Sequence, residues 1–216
     1  MGTSPKVILF PWDPKSDAHR KRLIAQRVEC TWDQDKVETK WTMQQLKGGK
    51  CMYWIEHEVL QDTATALNAF PRQPTKESFV PIGHISLDSK NPDAEHIGLD
   101  LPSENIFWIK SFYVGHAIQG QGIGRATMDE VEAMAVREPL SAKTLMLDTV
   151  QKDDQNSEEF ANAAYGSVPK ITNEEWYARR GYQPIKRVQN YYVIVDKNGK
   201  AWNVKTVFMR KDIARE

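Results

Sequence analysis

The residues best suited to chemistry form a glycine-rich segment, Gln119-Gly120-Gln121-Gly122-Ile123-Gly124, followed directly by Arg125. Several backbone N–H groups must point to one place to bind a phosphate, and glycine allows this because it has no Cβ and tolerates positive φ. A helical pattern begins at the end of the segment, and the free N–H groups and dipole of a helix start attract anions. The segment is therefore predicted to bind a phosphate-containing ligand.

Two common phosphate loops do not fit this spacing. A dinucleotide-binding G-x-G-x-x-G motif that used Gly120 and Gly122 would need a third glycine where Arg125 stands. A triphosphate-binding loop needs Gly-Lys followed by Ser or Thr, whereas Arg125 and Ala126 follow Gly124. The spacing therefore argues against both a Rossmann dinucleotide site and a P-loop.

The elements around the segment indicate a βαβ unit. Ile106–Val114 is an apolar, aromatic run typical of a strand, and residues 124–138 carry apolar side chains at helical spacing before Pro139. Thr144–Val150 is a second apolar strand. A strand, a helix and a second strand in direct succession predict that the two strands are parallel.

The rest of the chain is predicted to add antiparallel strands and short helices in a single domain, residues 1–216. Long loops are expected at about 61–78, 88–104 and 151–172, the last either a loop or one short helix around Ser157 to Ala164. The remaining predicted elements are a strand at Lys6–Phe10, a helix from Ser16 or Asp17 to Glu29, a helix from Asp33 or Asp35 to Leu46, strands at Cys51–Leu60 and Phe79–Leu87, a helix at Asn173–Arg180 and a hairpin of Tyr191–Val195 with Val204–Met209.

Composition limits the possible partners. Lys plus Arg and Asp plus Glu both number 29, so no overall field favours nucleic acid or an anionic membrane. The apolar run Val7–Phe10 is too short for a signal peptide or a membrane span, and Cys30 and Cys51 lack metal-ligand spacing. We expect a cytoplasmic protein, with a nuclear location also open, that is a monomer or homodimer.

The glycine segment resembles the coenzyme A loop of the GNAT superfamily of acyl-CoA-dependent N-acyltransferases. That pattern is Gln or Arg, two residues, Gly, any residue, then Gly or Ala, and Gln119, Gly122 and Gly124 match it. Val114 also matches a usual strand valine, although His116 replaces a common proline. The late segment Trp176–Tyr182 resembles the family's Leu-Tyr-x-x-x-Gly-Phe segment, with Tyr177 on the tyrosine.

The resemblance implies an α/β (α+β) GNAT fold, a central mixed twisted sheet with antiparallel N-terminal strands, a parallel central pair and flanking helices. It also implies acetyl-CoA as cosubstrate, with its pantetheine arm paired to the backbone near Phe112 and Val114 in the gap between the parallel strands. The Val114 N–H would polarise the thioester carbonyl. The residues implied to wrap the pyrophosphate are Gln119, Gly120, Gln121, Gly122, Ile123, Gly124 and Arg125.

The implied reaction needs two proton-transfer roles, and only the residue for the first of them lies on a family motif. Tyr177 would protonate the departing coenzyme A thiolate, with a structural core tyrosine as the alternative interpretation. A base is needed because an aliphatic amine with a pKa near ~10 is mostly protonated at neutral pH. The candidates, in falling order of preference, are Glu104, Asp148 and His84, and no metal is required.

The predicted function is transfer of an acetyl group to a primary amine by direct attack in a ternary complex. The alternative is a non-catalytic sensor or scaffold that binds coenzyme A with the same fold. The acceptor remains open between small molecules and peptides. Trp32, Tyr191 and Tyr192 are equally consistent with an acceptor pocket and with core packing.

Overall fold

The computed structural model of the protein describes residues 7–67, 69–196 and 198–213. Its strands are β1 Leu9–Pro11, β2 Met52–Gln61, β3 Ala66–Leu67, β4 Phe70–Pro71, β5 Ser78–Asp88, β6 Ile106–Val114, β7 Thr144–Val150, β8 Gln183–Val195 and β9 Ala201–Asp212. In this part of the chain, seven strands form one sheet in the order β1-β2-β5-β6-β7-β9-β8, and β3 pairs with β4 separately. Only the β6–β7 pair of the seven-stranded sheet is parallel. The predicted mixed sheet with a parallel central pair is therefore confirmed.

The strand bounds agree best where the hydrophobic pattern is strongest. Ile106–Val114 and Thr144–Val150 are strands over the predicted residues, whereas the closing hairpin is longer than predicted. The predicted strand Lys6–Phe10 overlaps β1 only at Leu9 and Phe10, and its first residue lies outside the described residues.

Six α-helices lie in the described ranges: α1 Asp17–Glu29, α2 Thr42–Leu46, α3 Ile123–Val136, α4 Lys152–Gln155, α5 Glu158–Tyr165 and α6 Asn173–Ala178. Ser16, one of the two residues predicted to begin this helix, caps α1 by accepting a hydrogen bond from the His19 N–H. A π-helical turn, Val37–Trp41, leads directly into α2. The 151–172 segment contains two helices, α4 and α5, and not the single short helix that we considered.

The helices cover the two faces of the sheet. On the first face, the α3 face, α3 and α6 pack over a core that includes Ile85, Met128 and Leu147. On the opposite face, the α1 face, α1 and the helical segment 37–46 bury Trp12 and Trp54. Burial of aromatic and aliphatic side chains on both faces is the main stabilising contribution to such a sheet.

The long connection between β2 and β5 is ordered by one buried carboxylate. Asp62 is fully buried and accepts two hydrogen bonds of 2.7 Å from Arg72 and further ones from the Thr75 N–H and hydroxyl. Burial by itself would raise the pKa of Asp62, but the hydrogen bonds from Arg72 and Thr75 outweigh it and lower the pKa to about 2. The ionised carboxylate therefore stabilises the folded loop.

We expect Asp62→Asn to lower the free energy of unfolding by about 2 kcal/mol at pH 7. Because the pKa of Asp62 is lower in the folded than in the unfolded chain, its contribution is complete well above pH 4 and decreases as the pH falls toward 2. Urea unfolding of both proteins at pH 7 and pH 3 measures this, and the difference should be roughly halved at pH 3. Equal differences at the two pH values would contradict the electrostatic explanation.

Candidate active site

The parallel strands β6 and β7 separate in the middle of the sheet. Their paired residues end at Trp108 and Met146, although β6 continues to Val114 and β7 to Val150. Beyond that point β6 stays paired with β5 and β7 stays paired with β9. A gap therefore opens between the two central strands, and it connects the two faces of the sheet.

A β-bulge in β6 lies where the gap begins. Ser86 opposes Lys110 and His84 opposes Tyr113, so three steps along β6 match two along β5. The extra residue is accommodated at Ser111, whose φ of 53° is in the left-handed region. A bulge bends its strand and increases the local twist, which turns the end of β6 away from β7.

A buried lysine holds this bulge in place. The Nζ of Lys50 donates to Ser86 Oγ at 3.0 Å, to Asp88 Oδ2 at 3.0 Å and to Ser111 Oγ at 3.3 Å. It also lies 4.7 Å from the centre of the Trp41 ring. Three acceptors for three N–H bonds satisfy a buried ammonium, so β5 and the bulge are linked through one cation.

A cleft of about 580 Å³ surrounds the gap. Its walls come from the end of α1, the loop to α2, the bulged part of β6 and the end of β7, while Ala164, Tyr165 and Pro169 of the 151–172 segment close one side. Trp32 and Tyr192 line the cleft and meet edge to face with ring centres 5.8 Å apart. The cleft therefore lies at the separated strands, with the predicted aromatic residues Trp32 and Tyr192 in its wall.

The glycine segment forms an exposed turn at the end of β6. Gly120 has φ 81° and Gly122 has φ 85°, both in the left-handed region that glycine tolerates best. Gly122 is the N-cap of α3 and provides no side-chain cap, so the first N–H groups of the helix have no capping side chain. Arg125 is exposed in the first helical turn. This arrangement has the features expected of an anion cradle.

The side chain of Gln119 closes the turn on the strand before it. Its Nε2 donates to the Val114 carbonyl at 2.9 Å and lies 3.3 Å from His116 Nδ1. The Gln119 side chain therefore orders the turn by its hydrogen bond to Val114, and the residue itself stands at the start of the proposed anion cradle. Gly124 lies inside α3, and a Cβ there would come within 3.8 Å of Phe112 and 3.9 Å of Trp176, so α3 approaches β6 and α6 closely.

We expect Gly120→Ala to raise the Kd of coenzyme A by about 10-fold, because alanine disfavours positive φ by ~1–2 kcal/mol and a Cβ would project into the turn. A Cβ at Gly120 meets no atom within 4 Å, so the substitution causes no internal clash. Gly199→Ala is the matched control, since Gly199 also has φ 81° and open space but lies in the β8–β9 turn. Calorimetric titration of both variants with coenzyme A measures the effect, and equal affinities would contradict the cradle.

The N–H of Val114 faces the gap. The next residue, Gly115, donates its N–H to the Ile82 carbonyl of β5 at 2.8 Å. Successive N–H groups of a strand alternate in direction, so the Val114 N–H points away from β5 and toward the separated β7. It is therefore available to a ligand that lies between β6 and β7.

Tyr177 lies in α6, on the α3 face. Its ring packs edge to face against Trp176 and Tyr182 at 4.9 and 5.9 Å, and within the described residues its hydroxyl has no hydrogen-bond partner. Burial and the nearby Asp148 carboxylate raise the pKa of Tyr177, whereas Arg180 acts in the opposite direction. The phenol therefore keeps its proton at neutral pH and has it free to donate.

Asp148 lies in the first part of β7 beyond its pairing with β6, and it reaches the α1 face. Its Oδ2 accepts a 2.6 Å hydrogen bond from the Tyr192 hydroxyl, and its Oδ1 lies 3.4 Å from Lys110 Nζ across the gap. Burial and the Asp148 carboxylate raise the pKa of Tyr192 well above its usual value. Asp148 is also one cause of the raised pKa of Tyr177, so the two predicted site residues influence each other electrostatically.

Two other candidate bases are not brought to the gap. Glu104 is exposed before the start of β6, and the strand from its first residue, Ile106, to Phe112 spans about 20 Å. His84 is fully buried, its Nδ1 2.6 Å from Gln26 Oε1 and its Nε2 3.3 Å from Arg27. Burial and the charge of Arg27 hold the pKa of His84 well below its usual value, and both ring nitrogens are engaged. Asp148 is therefore the candidate base that the geometry favours.

Sequence reasoning missed the polar partners of Asp148. Lys110 Nζ donates to Asn91 Oδ1 at 3.0 Å, and Asn91 begins the 3₁₀ turn Pro92–Ile97 within a predicted loop. The only available signal was a lysine in the middle of the apolar strand Ile106–Val114. A charged residue at such a position needs a partner, but the sequence does not say which one.

The described residues contain no group of three or more His, Cys, Asp or Glu side chains arranged to hold a metal ion. Among them there is also no helix long and apolar enough to cross a membrane.

Comparisons with known proteins agree with a coenzyme-A-dependent acyltransferase. The sequence pattern described as "Acetyltransferase (GNAT) family" matches residues 40–166. A comparison with curated protein sequences finds no match. Because the family pattern matches more than half of the chain, the protein belongs to the GNAT family of acetyltransferases.

Solved structures are similar over nearly the whole chain. NAA60 from Arabidopsis thaliana in complex with a bisubstrate analogue has a TM-score of 0.58 and 14% identity, covering 97% of this chain and 100% of its own. An aminoglycoside 6'-N-acetyltransferase complexed with coenzyme A has a TM-score of 0.53 and 14% identity, with 97% and 99% covered. RimL, a ribosomal L7/L12 alpha-N-protein acetyltransferase, has a TM-score of 0.52 and 12% identity, with 100% and 98% covered. At these identities the likeness establishes the fold.

Proposed function

We propose that the protein transfers an acetyl group from acetyl-CoA to a primary amine by direct attack in a ternary complex. The observation that carries this proposal is the gap between β6 and β7, which has the glycine turn beside it, Tyr177 on the α3 face and Asp148 on the α1 face. Coenzyme and amine can thus approach one carbonyl carbon from opposite faces of the sheet, so no covalent enzyme intermediate is needed.

In this proposal the turn at residues 119–125 holds the pyrophosphate, and the pantetheine arm lies along Phe112 and Val114. The Val114 N–H donates to the thioester carbonyl and stabilises the negative charge that develops on its oxygen. Since that N–H belongs to a strand paired with β5, its direction is set before the substrate arrives. Preorganised donors of this kind contribute strongly to acyl transfer.

In this proposal protons are transferred on both faces of the sheet, by Asp148 on the α1 face and by Tyr177 on the α3 face. Asp148 accepts a proton from the acceptor ammonium, directly or through one water molecule, and the neutral amine attacks the carbonyl carbon. The new C–N bond forms, the nitrogen of the tetrahedral intermediate loses its second proton to water, and the C–S bond breaks as the intermediate collapses. Tyr177 then gives its proton to the departing thiolate and is reprotonated from water after turnover, and the products are an N-acetyl amine and coenzyme A with a free thiol.

A thiol-release assay tests this function. The protein, acetyl-CoA and a panel of amines and peptides are mixed, free thiol is measured, and the acetylated product is identified by mass. We expect thiol release that depends on the amine. Coenzyme A binding without release for any acceptor would instead indicate the alternative, a sensor or scaffold with the GNAT fold.

A further inference from the structure

The proposed amine site contains two buried polar atoms that form no hydrogen bond, although one of them, Asp148 Oδ1, has an ion pair with Lys110. Among the residues that the structure describes, Asn91 Nδ2 and Asp148 Oδ1 form no hydrogen bond, and both residues line the cleft. Asn91 is only 7% exposed. Buried polar atoms without hydrogen bonds are rare, so a ligand that bound both atoms in this cleft wall would gain hydrogen bonds that the protein itself does not supply.

The contacts of Lys110 with Asn91 and Asp148 show which of their atoms are hydrogen-bond donors and which are acceptors. Lys110 Nζ has only N–H donors, so the group of Asn91 that faces it at 3.0 Å must be the amide oxygen. The amide N–H₂ is then the group without a partner. The same Nζ lies 3.4 Å from Asp148 Oδ1, so this part of the wall offers donors from Asn91 and Lys110 beside an acceptor from Asp148.

The charges of the cleft argue against a polycationic acceptor. Each lining aspartate has a cationic partner: Asp33 lies 2.8 Å from Lys36, Asp88 lies 3.0 Å from Lys50, Asp93 lies 2.7 Å from Lys40, and Asp148 lies 3.4 Å from Lys110. Glu29 accepts a hydrogen bond from the Tyr113 hydroxyl at 2.8 Å. Lys90 is an exposed lining cation without an ion pair among the described residues. The wall around Asn91 therefore has a hydrogen-bond donor, Asn91 Nδ2, and a positive charge, Lys90, that no acidic side chain pairs with among the described residues.

We infer that the acceptor is a free amino acid, whose amine binds at Asp148 while its carboxylate binds to Asn91 Nδ2 and Lys110 Nζ. An amino acid carries its amine and its carboxylate one or two carbon atoms apart. The donors of Asn91 and Lys110 and the acceptor of Asp148 are also neighbours, because Lys110 Nζ contacts both of the other side chains. Hydrogen bonds that involve charged groups are stronger than neutral ones, so the carboxylate is preferred over an amide at the same position. This inference rests on the proposed acetyl transfer.

Matched acceptor series test the inference. Each series contains a free amino acid, its primary amide and its decarboxylated amine, for example phenylalanine, phenylalaninamide and 2-phenylethylamine, with a basic, an acidic and an aliphatic series beside it. In the best series we expect kcat/KM to be at least about 10-fold higher for the free acid than for either analogue. Preference for the amide, for peptide N-termini or for the decarboxylated amine would overturn the inference and leave acetyl transfer standing.

A variant separates recognition of the carboxylate from catalysis. Asn91→Asp replaces the unpartnered donor by a carboxylate beside Lys110, so kcat/KM should fall about 10-fold or more for the free acid and much less for the decarboxylated amine. Asn198→Asp adds the same charge in the β8–β9 turn, outside the cleft lining, and should change neither value. Equal losses for the two acceptors in Asn91→Asp would overturn the role of Asn91. Absence of thiol release with every acceptor, despite coenzyme binding, would instead refute the proposed function and this inference with it.

Discussion

Replacement of Tyr177 by phenylalanine is expected to lower kcat by about 100-fold while leaving coenzyme A affinity unchanged. The hydroxyl has no hydrogen-bond partner among the described residues, and burial and Asp148 raise the pKa of Tyr177, so the removed group is a neutral proton donor. Phenylalanine keeps the edge-to-face packing against Trp176 and Tyr182. The measurements are steady-state thiol release at saturating substrates and calorimetric titration with coenzyme A.

Tyr182→Phe is the matched control for this prediction. Tyr182 belongs to the same aromatic cluster, but its hydroxyl donates to Glu132 of α3 at 3.2 Å and is tied to a structural contact. We expect its loss to lower the free energy of unfolding by ~1 kcal/mol and to change kcat by less than about 2-fold. If Tyr177→Phe also kept wild-type kcat, Tyr177 would be a core tyrosine, and another acid or solvent would protonate the thiolate.

The second large effect is expected for Asp148→Asn. This change removes the proton acceptor at the gap but keeps an oxygen for the Tyr192 hydroxyl, so kcat/KM for the amine should fall by about 100-fold at pH 7 with an unchanged Kd for coenzyme A. Because a neutral amine no longer needs the base, the deficit should shrink as the pH approaches the pKa of an aliphatic amine, near ~10. A pH profile of kcat/KM for both proteins measures this.

Asp62→Asn is the control that distinguishes the expected loss of activity in Asp148→Asn from a general loss of stability. Both aspartates are buried beside a cation, but Asp62 pairs with Arg72 in the β2–β5 connection and does not line the cleft. We expect Asp62→Asn to unfold more easily while retaining wild-type kcat/KM for the amine. If Asp148→Asn lost equal activity at every pH, its role would be structural, in keeping Lys110 paired, and the proton would leave by another route.

The positions of the two proposed proton-transfer residues follow from how the sheet is built. Alternate residues of a strand face opposite sides, and in β7 Leu147 packs on the α3 face while Asp148 reaches the α1 face. Tyr177 comes from a helix on the α3 face. The gap beyond Trp108 and Met146 is the opening through which the two can act on one substrate.

The sequence by itself determined the parts of the protein that depend on local patterns. The strands Ile106–Val114 and Thr144–Val150, the helix after the glycine segment and the start of α1 at Ser16 all follow from hydrophobic period, capping and glycine. These signals are local because a strand, a cap or a positive φ depends on a few adjacent residues. The glycine spacing, together with the segment around Tyr177, was also enough to predict the GNAT family.

Only the tertiary structure decided which polar groups meet. The bulge at Ser111 depends on the register between β5 and β6, and it lies just beyond Trp108, the last residue of β6 that pairs with β7. Glu104, just before the central strand, was the first of the candidate bases, yet it precedes the end of β6 that remains paired with β7. Lys110 contacts both Asn91 and Asp148, which lie 57 positions apart in the sequence. Such contacts are determined by strand pairing and side-chain packing over long sequence separations, which no short window of residues contains.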